Sequence, residues 1–150
     1  MNQVFKRLKK AFPFLGERAV TEDDVHAYAG SRGLQIVFSP SISNACYVVC
    51  DGREFIFVNH KLKGRRLLHR LCHELAHAIL HVPRRTKYGV EFFGECTRGN
   101  HEIEAEAAAA LLMMPLHEIN DQVFTGIFKY DIELENMITV RRSYASKFGK

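Results

Sequence analysis

The segment from Gly64 to about His81 constrains the fold of this chain more than any other. Side chains four residues apart on an α-helix differ by about 40° around its axis, so they share one face. Four histidines have this spacing in the segment: His69, His73, His77 and His81. An apolar stripe runs along the same segment: Leu68, Leu71, Cys72, Leu75 and Ile79. The pattern predicts an amphipathic helix that packs on a core and ends before Pro83.

The centre of this helix reads His73-Glu74-Leu75-Ala76-His77, an H-E-x-x-H motif. Two imidazoles one helical turn apart can bind one zinc ion through their Nε2 atoms. Glu74 then lies beside the ion, within reach of a water molecule that the ion holds. Zinc lowers the pKa of such a water towards neutrality, and a carboxylate can take its proton as the water attacks a carbonyl. The motif predicts hydrolysis with Zn2+ as cofactor, His73 and His77 as metal ligands and Glu74 as the catalytic general base.

The outer histidines form pairs with the same spacing, but neither of these pairs encloses a glutamate. His69 is followed by arginine and His77 by alanine. We interpret His69 and His81 as structural or solvent-facing residues, with support of the metal ligands as the alternative. The whole motif also has a simpler interpretation, an exposed histidine-rich helix face that binds no metal.

A catalytic zinc ion usually has three protein ligands and one open position. Candidates for the third ligand crowd the start of a second predicted helix, which covers about His101 to Met114. They are His101, Glu102, Glu104 and Glu106. Alanines are frequent from residue 105 on, and small side chains let two helices approach closely enough to bring a carboxylate to the ion. The acids also fit a solvated helix N-terminus, and spacing alone leaves the choice of third ligand open.

Three strands are predicted upstream of the metal-binding helix: Leu34 to Ser39, Ala45 to Cys50 and Arg53 to Asn59. The second and third flank Asp51-Gly52, a dipeptide typical of two-residue hairpin turns. The stretch from Val82 to Asn100 is interpreted as a long loop with a short strand at about Val90 to Phe93. Loops of this length are often functional. A role as a lid over the site is one interpretation of this loop, and the sequence leaves it undecided.

Helices are predicted near both ends of the chain. Val4, Leu8 and Phe12 have helical spacing before Pro13, and Thr21 is the N-cap of a helix that runs to about residue 33. Short helices are expected after residue 115. Because the sequence has no internal repeat and no convincing linker, it predicts one α+β domain.

Composition narrows the classes of protein that fit. Apolar residues make up 47% of the chain and charged residues 25%, values typical of a soluble globular domain. No apolar run approaches the roughly 20 residues that cross a bilayer, and residues 1–18 lack the features of a signal peptide. We therefore expect a cytoplasmic protein with no membrane partner. The net charge is +4, and the basic residues concentrate at the two ends of the chain in small, separate groups. No direct nucleic-acid partner is therefore expected.

The four cysteines form no C-x-x-C pair. They are Cys46, Cys50, Cys72 and Cys96. Reduced thiols are the expectation for a cytoplasmic protein, and a second metal site built from these residues is the alternative.

The two helical motifs together resemble the ImmA/IrrE family of metallo-endopeptidases. The matching residues are the helix from His73 to His81, Asn59 at the end of a strand, Glu102-Ile103-Glu104-Ala105, and the ending Leu111-Leu112-Met113-Met114-Pro115. The resemblance covers about residues 21–115. Two positions depart from the family pattern, because Glu106 stands where asparagine is usual and Ala108 where phenylalanine is usual.

The resemblance implies a fold, a ligand and an activity. The fold is a small gluzincin-like α+β domain, in which a short sheet of three or four strands packs on the H-E-x-x-H helix and on a second helix that bears a glutamate. The core would span 21–115 and a helical extension 116–150. Alignment on Pro115 places the third zinc ligand on Glu104. The implied activity is cleavage of a DNA-binding helix-turn-helix repressor, which releases stress-response or mobile-element genes.

Two other classes of function compete with a peptidase. A binding or regulatory module could hold zinc without catalysis, but a structural zinc usually has four protein ligands and has no need of Glu74. A nuclease or other hydrolase is weaker, because no further acidic cluster indicates a two-metal site. For oxyanion stabilisation the candidates are Tyr88, His101 and Tyr130, and the sequence does not rank them. Oligomeric state is not determined by the sequence.

Overall fold

The structure, a computed structural model, describes residues 2–81, 90–93, 99–119 and 132–149, and the backbone alone at 90–93, 119 and 132–134. Along these ranges the elements are α1 (Gln3–Ala11), α2 (Glu22–Arg32), β1 (Gln35–Ser39), β2 (Ala45–Cys50), β3 (Arg53–Asn59), α3 (Gly64–Leu80), β4 (Val90–Phe93), α4 (Asn100–Met113), α5 (Leu116–Ile119) and α6 (Ile132–Phe148). Within these ranges, no helix is both long and apolar enough to cross a membrane.

The four strands form one sheet in the order β1-β3-β2-β4. β2 runs antiparallel to both of its neighbours, whereas β1 pairs with β3 in parallel. The hairpin between β2 and β3 turns at Asp51 and Gly52, which both have positive φ (50° and 76°), as the predicted type of turn requires. The three predicted strands and the short fourth one are confirmed, and the α+β prediction with them. β1 begins one residue later than predicted.

Two helices, α3 and α4, carry the predicted site and pack against each other. The apolar face of α3 also packs on β2 and β3, and its residues Leu71 and Leu75 are completely buried. Ala105 and Ala109 on α4 have no exposed surface either. Because their side chains are small, α4 lies close enough to α3 for side chains of one helix to contact those of the other. α6 covers another side of α4.

Arginines from two other helices fix the C-terminal end of α3. The last carbonyls of a helix have no partner within it, so they need donors from outside. Arg32, at the end of α2, donates to the carbonyl of Ala78 at 2.6 Å and also forms a bidentate pair with Glu54 of β3 at 2.9 Å. Arg7 of α1 donates to the carbonyl of Leu80 at 2.7 Å. The end of α3 that bears the later histidines is therefore held by α1 and α2.

The N-terminus of α2 is capped as its sequence predicts. Thr21 accepts a hydrogen bond from the backbone N–H of Asp24, and the Asp24 carboxylate accepts from the N–H of Thr21, which is a capping box. Arg18 adds two hydrogen bonds to the same carboxylate, at 2.7 and 3.0 Å. The helix ends at Gly33 in the left-handed conformation, with φ 77°.

Candidate active site

The H-E-x-x-H motif lies in the middle of α3, and its two histidines face the start of α4. The side chains are almost inaccessible: His73 is 8% exposed, Glu74 3% and His77 0%. His69 is buried as well. The interpretation of this face as an exposed, histidine-rich surface is therefore wrong.

Glu102 lies between the two histidines of the motif. Its Oε2 atom is 3.1 Å from Nε2 of His73, and its Oε1 atom is 3.1 Å from Nε2 of His77. Within the described residues, these three side chains form a group whose ligand atoms all lie within 4.8 Å of one another. Two imidazoles and a carboxylate are a donor set of catalytic zinc sites. Ligands of a tetrahedral zinc lie roughly 3.3 Å apart, given metal–ligand distances of about 2.0–2.1 Å, so the residues present fit this ion.

Glu104, which the resemblance implies as third ligand, is placed elsewhere. Its Oε2 atom lies 2.9 Å from Nε2 of His81, and its side chain is 47% exposed. Residues two apart on a helix point about 200° apart around its axis, so Glu102 and Glu104 cannot face the same pair of rings. The structure brings Glu102, and not Glu104, to His73 and His77. Of the alternatives that spacing left open, the geometry favours Glu102.

Glu106, one turn after Glu102, contacts the opposite edge of the His73 ring. Its Oε2 atom lies 3.0 Å from Nδ1 of His73, and its Oε1 atom lies 3.0 Å from Nε2 of His69. A carboxylate only accepts hydrogen bonds, so both rings donate to it. Burial opposes the charge of Glu106, but these two hydrogen bonds hold its pKa well below the usual range. His69 is therefore connected to His73 through Glu106, a contact consistent with the alternative interpretation of this residue.

The two histidines of the motif differ in their affinity for protons. Burial disfavours a charged His73, but the neighbouring glutamates, Glu106 first, outweigh burial and raise the pKa of the ring. Burial and the nearby His73 lower the pKa of His77 to about 4. His77 is consequently neutral at neutral pH, the state in which an imidazole can bind a metal.

His77 has a second imidazole behind it. Its Nδ1 atom lies 3.1 Å from Nδ1 of His81, and Nε2 of His81 is the atom that contacts Glu104. His101 stacks on the His81 ring, with centroids 4.2 Å apart and an angle of 16° between the planes. His101 therefore packs against His81.

Glu74 faces the sheet rather than α4. The backbone N–H of Tyr47 in β2 donates to its Oε2 atom at 2.8 Å. Burial raises the pKa of Glu74 to about 7, against opposing effects of His73 and of the Tyr47 hydrogen bond. A carboxyl with a pKa near neutrality can both take and release a proton under physiological conditions. The position and the pKa suit the predicted general base.

Several predicted features lie partly or wholly outside the described residues. Tyr88, Tyr130 and Cys96 are among them, as is most of the loop that was considered as a lid. The other cysteines, Cys46, Cys50 and Cys72, are free thiols. Among the described residues, no cysteine belongs to a group that could hold a metal.

Comparison with known proteins identifies the family. The model of the peptidase M78 family, described as the IrrE N-terminal-like domain, matches residues 29–148. Comparisons with curated proteins and with solved structures give no significant match. The matched range contains α3, α4 and the histidine–glutamate group, and it confirms the resemblance found in the sequence. The chain therefore belongs to the IrrE N-terminal-like family of metallopeptidases.

Proposed function

We propose that this protein is a zinc-dependent endopeptidase in which His73, His77 and Glu102 hold the ion and Glu74 is the general base. One observation carries the proposal: the two carboxylate oxygens of Glu102 each lie 3.1 Å from the Nε2 atom of a different histidine of the motif. Donor atoms at this separation converge on one point, and imidazole and carboxylate together are the ligands that zinc takes in hydrolases.

The side chains around the ligands support this role. Glu106 accepts a hydrogen bond from Nδ1 of His73, so Nε2 is the nitrogen of that ring left to bind a cation. His77 is neutral, so it loses no proton when it binds. Zinc, when bound, would polarise a water molecule and the carbonyl of the scissile bond.

Glu74 supplies the proton transfers. The N–H of Tyr47 engages Oε2 of its carboxyl group, so Oε1 is the oxygen that takes the proton. With a pKa of about 7, the same group can release that proton to the leaving amine. Because Glu74 is 3% exposed, bulk water competes little for the transferred proton.

We extend the proposal to the substrate. Membership of a peptidase family implies a protein substrate, and the resemblance described above implies a DNA-binding helix-turn-helix repressor. Such a repressor acts on DNA, so the peptidase would work in the cytoplasm. Cleavage would then derepress stress-response or mobile-element genes.

The catalytic part of the proposal is tested by Glu74→Gln. The variant should bind zinc as the wild type does and should fail to cleave purified helix-turn-helix repressors from the source cell, as followed by intact-mass spectrometry. A matched control is Glu135→Gln, at an exposed position of α6 rather than on α3 or α4. Cleavage at the wild-type rate by Glu74→Gln would contradict its role as the base. A phenotype that is unchanged by Glu74→Gln in cells, with zinc retained, would favour a non-catalytic binding module.

A further inference from the structure

A chain of hydrogen bonds leads from Glu104 to the second ligand histidine. Oε2 of Glu104 lies 2.9 Å from Nε2 of His81, and Nδ1 of His81 lies 3.1 Å from Nδ1 of His77. Neither Glu104 nor His81 is among the three residues whose ligand atoms converge. Their contacts therefore need an explanation outside metal ligation.

The middle residue of this chain is firmly placed. The side chain of His81 is 4% exposed. Its ring stacks on His101 at a centroid distance of 4.2 Å, and its backbone N–H donates to the carbonyl of His77 at 2.9 Å. Arg7 holds the neighbouring carbonyl of Leu80. These contacts hold the residue on several sides of its ring and backbone.

The positions of the protons follow from the carboxylate at the end of the chain. Glu104 can only accept, so Nε2 of His81 carries a proton. In a neutral ring Nδ1 of His81 is then an acceptor, and Nδ1 of His77 must be the donor. This leaves the lone pair of His77 on Nε2, the nitrogen that faces Glu102. With both rings neutral, this distribution matches a donor to an acceptor at both His81 contacts. It turns the lone pair of His77 and the carboxylate of Glu102 toward each other, as two ligands of one cation would be.

We propose that Glu104 and His81 are positioning residues, which fix the tautomer and the ring orientation of His77 for the metal. The proposal rests on the proposed function, since it takes Nε2 of His77 as a ligand atom. The site is then symmetrical in its chemistry. His73 donates to Glu106 directly, and His77 donates to Glu104 through His81. Groups behind a ligand histidine typically contribute about 10–100-fold to metal affinity.

Zinc affinity, measured by competition with a chromophoric chelator, tests the proposal without an activity assay. His81→Phe keeps a planar ring to stack on His101 but removes the acceptor for His77. Glu104→Leu removes the carboxylate from an exposed position where folding tolerates the change. Both variants should still take up one zinc ion, with affinity lowered by about 10–100-fold. Glu104→Gln, which retains an acceptor oxygen, should lose less than Glu104→Leu. The matched control Glu135→Leu should bind as the wild type does.

The tautomers themselves can be read by long-range 1H–15N NMR of histidine side chains. In wild-type protein we expect the proton of His77 on Nδ1 and that of His81 on Nε2, and in Glu104→Leu a mixture of tautomers at His81. Unchanged zinc affinity in both His81→Phe and Glu104→Leu, or a wild-type His81 with its proton on Nδ1 alone, would overturn the inference. A wild type that takes up no zinc would instead refute the proposed function, so the two failures are distinguishable.

Discussion

Oε2 of Glu106 lies 3.0 Å from Nδ1 of His73, at the edge of the ring opposite the nitrogen that faces Glu102. Because Nδ1 donates to this carboxylate, Nε2 is the nitrogen of His73 directed to the proposed metal site. It also connects His73 with His69, which donates to the other oxygen of the same carboxylate. The position is one where the related family pattern has asparagine, so this chain has a charged acceptor in place of a neutral one.

The first prediction concerns this carboxylate. In Glu106→Gln one of the two oxygens becomes an NH2 group, which can no longer accept from an imidazole. One of the two rings must then change its tautomer or lose its hydrogen bond. We expect zinc affinity to fall by about 10–100-fold, measured by chelator competition. Glu135→Gln on α6 is the control, and equal affinity in the two variants would show that Glu106 does not support the site.

The second prediction concerns the arginine that joins α2, β3 and α3. Arg32→Leu removes the pair with Glu54 and leaves the Ala78 carbonyl without this donor. Glu54 also accepts from the hydroxyl of Tyr47, so its carboxylate is left partly buried with one partner fewer. The free energy of unfolding should fall by roughly 1–3 kcal/mol, as measured by urea titration. Arg142→Leu, at an exposed position of α6, should change it much less.

The third prediction concerns the close approach of the two helices. Ala109 lies seven residues after Glu102, on the same face of α4, and is completely buried. Ala109→Leu should force the helices apart, lower the free energy of unfolding by roughly 1–3 kcal/mol and weaken zinc binding. Ala107→Leu is the matched control, because Ala107 is only partly buried. If both variants bind zinc as tightly as the wild type, close packing at this face is not needed for the site.

The fourth prediction is a pH dependence remote from the metal site. Hydrogen bonds from Arg18, and from Thr21 more weakly, lower the pKa of Asp24 below its ordinary value. A lowered pKa in the folded state means that the stabilisation is complete above the unfolded-state pKa of about 3.9 and is lost as the pH falls below it. The difference in unfolding free energy between wild type and Asp24→Asn should therefore be larger at pH 6 than at pH 3. Asp23→Asn, in the same turn and exposed, is the control. A difference for Asp24→Asn that does not change with pH would contradict the assignment.

Local patterns in the sequence were sufficient for most of the architecture. Helical spacing predicted α3, and Asp51-Gly52 predicted the hairpin, because both depend on residues close together in the chain. The parallel pairing of β1 with β3 is a contact between distant segments that no local pattern specifies.

The proposed third ligand shows the same limit at the site. A helical wheel separates Glu102 and Glu106 from Glu104, but the sequence does not say which set faces α3. The rotation of α4 about its own axis depends on packing, and the alanines from 107 to 110 offer several similar faces. The stripe of Glu102, Ala105, Glu106 and Ala109, with helical spacing, was the available signal. Alignment on Pro115 instead gave Glu104.

The most direct test of the central claim is zinc per chain, measured by native mass spectrometry on wild type, Glu102→Ala and Glu104→Ala. The geometry predicts one zinc in the wild type, none or a small fraction in Glu102→Ala, and one zinc held more weakly in Glu104→Ala. A wild type without zinc, freshly purified or after titration, would contradict the metallopeptidase site. Loss of zinc in Glu104→Ala together with full retention in Glu102→Ala would contradict the ligand set of His73, His77 and Glu102.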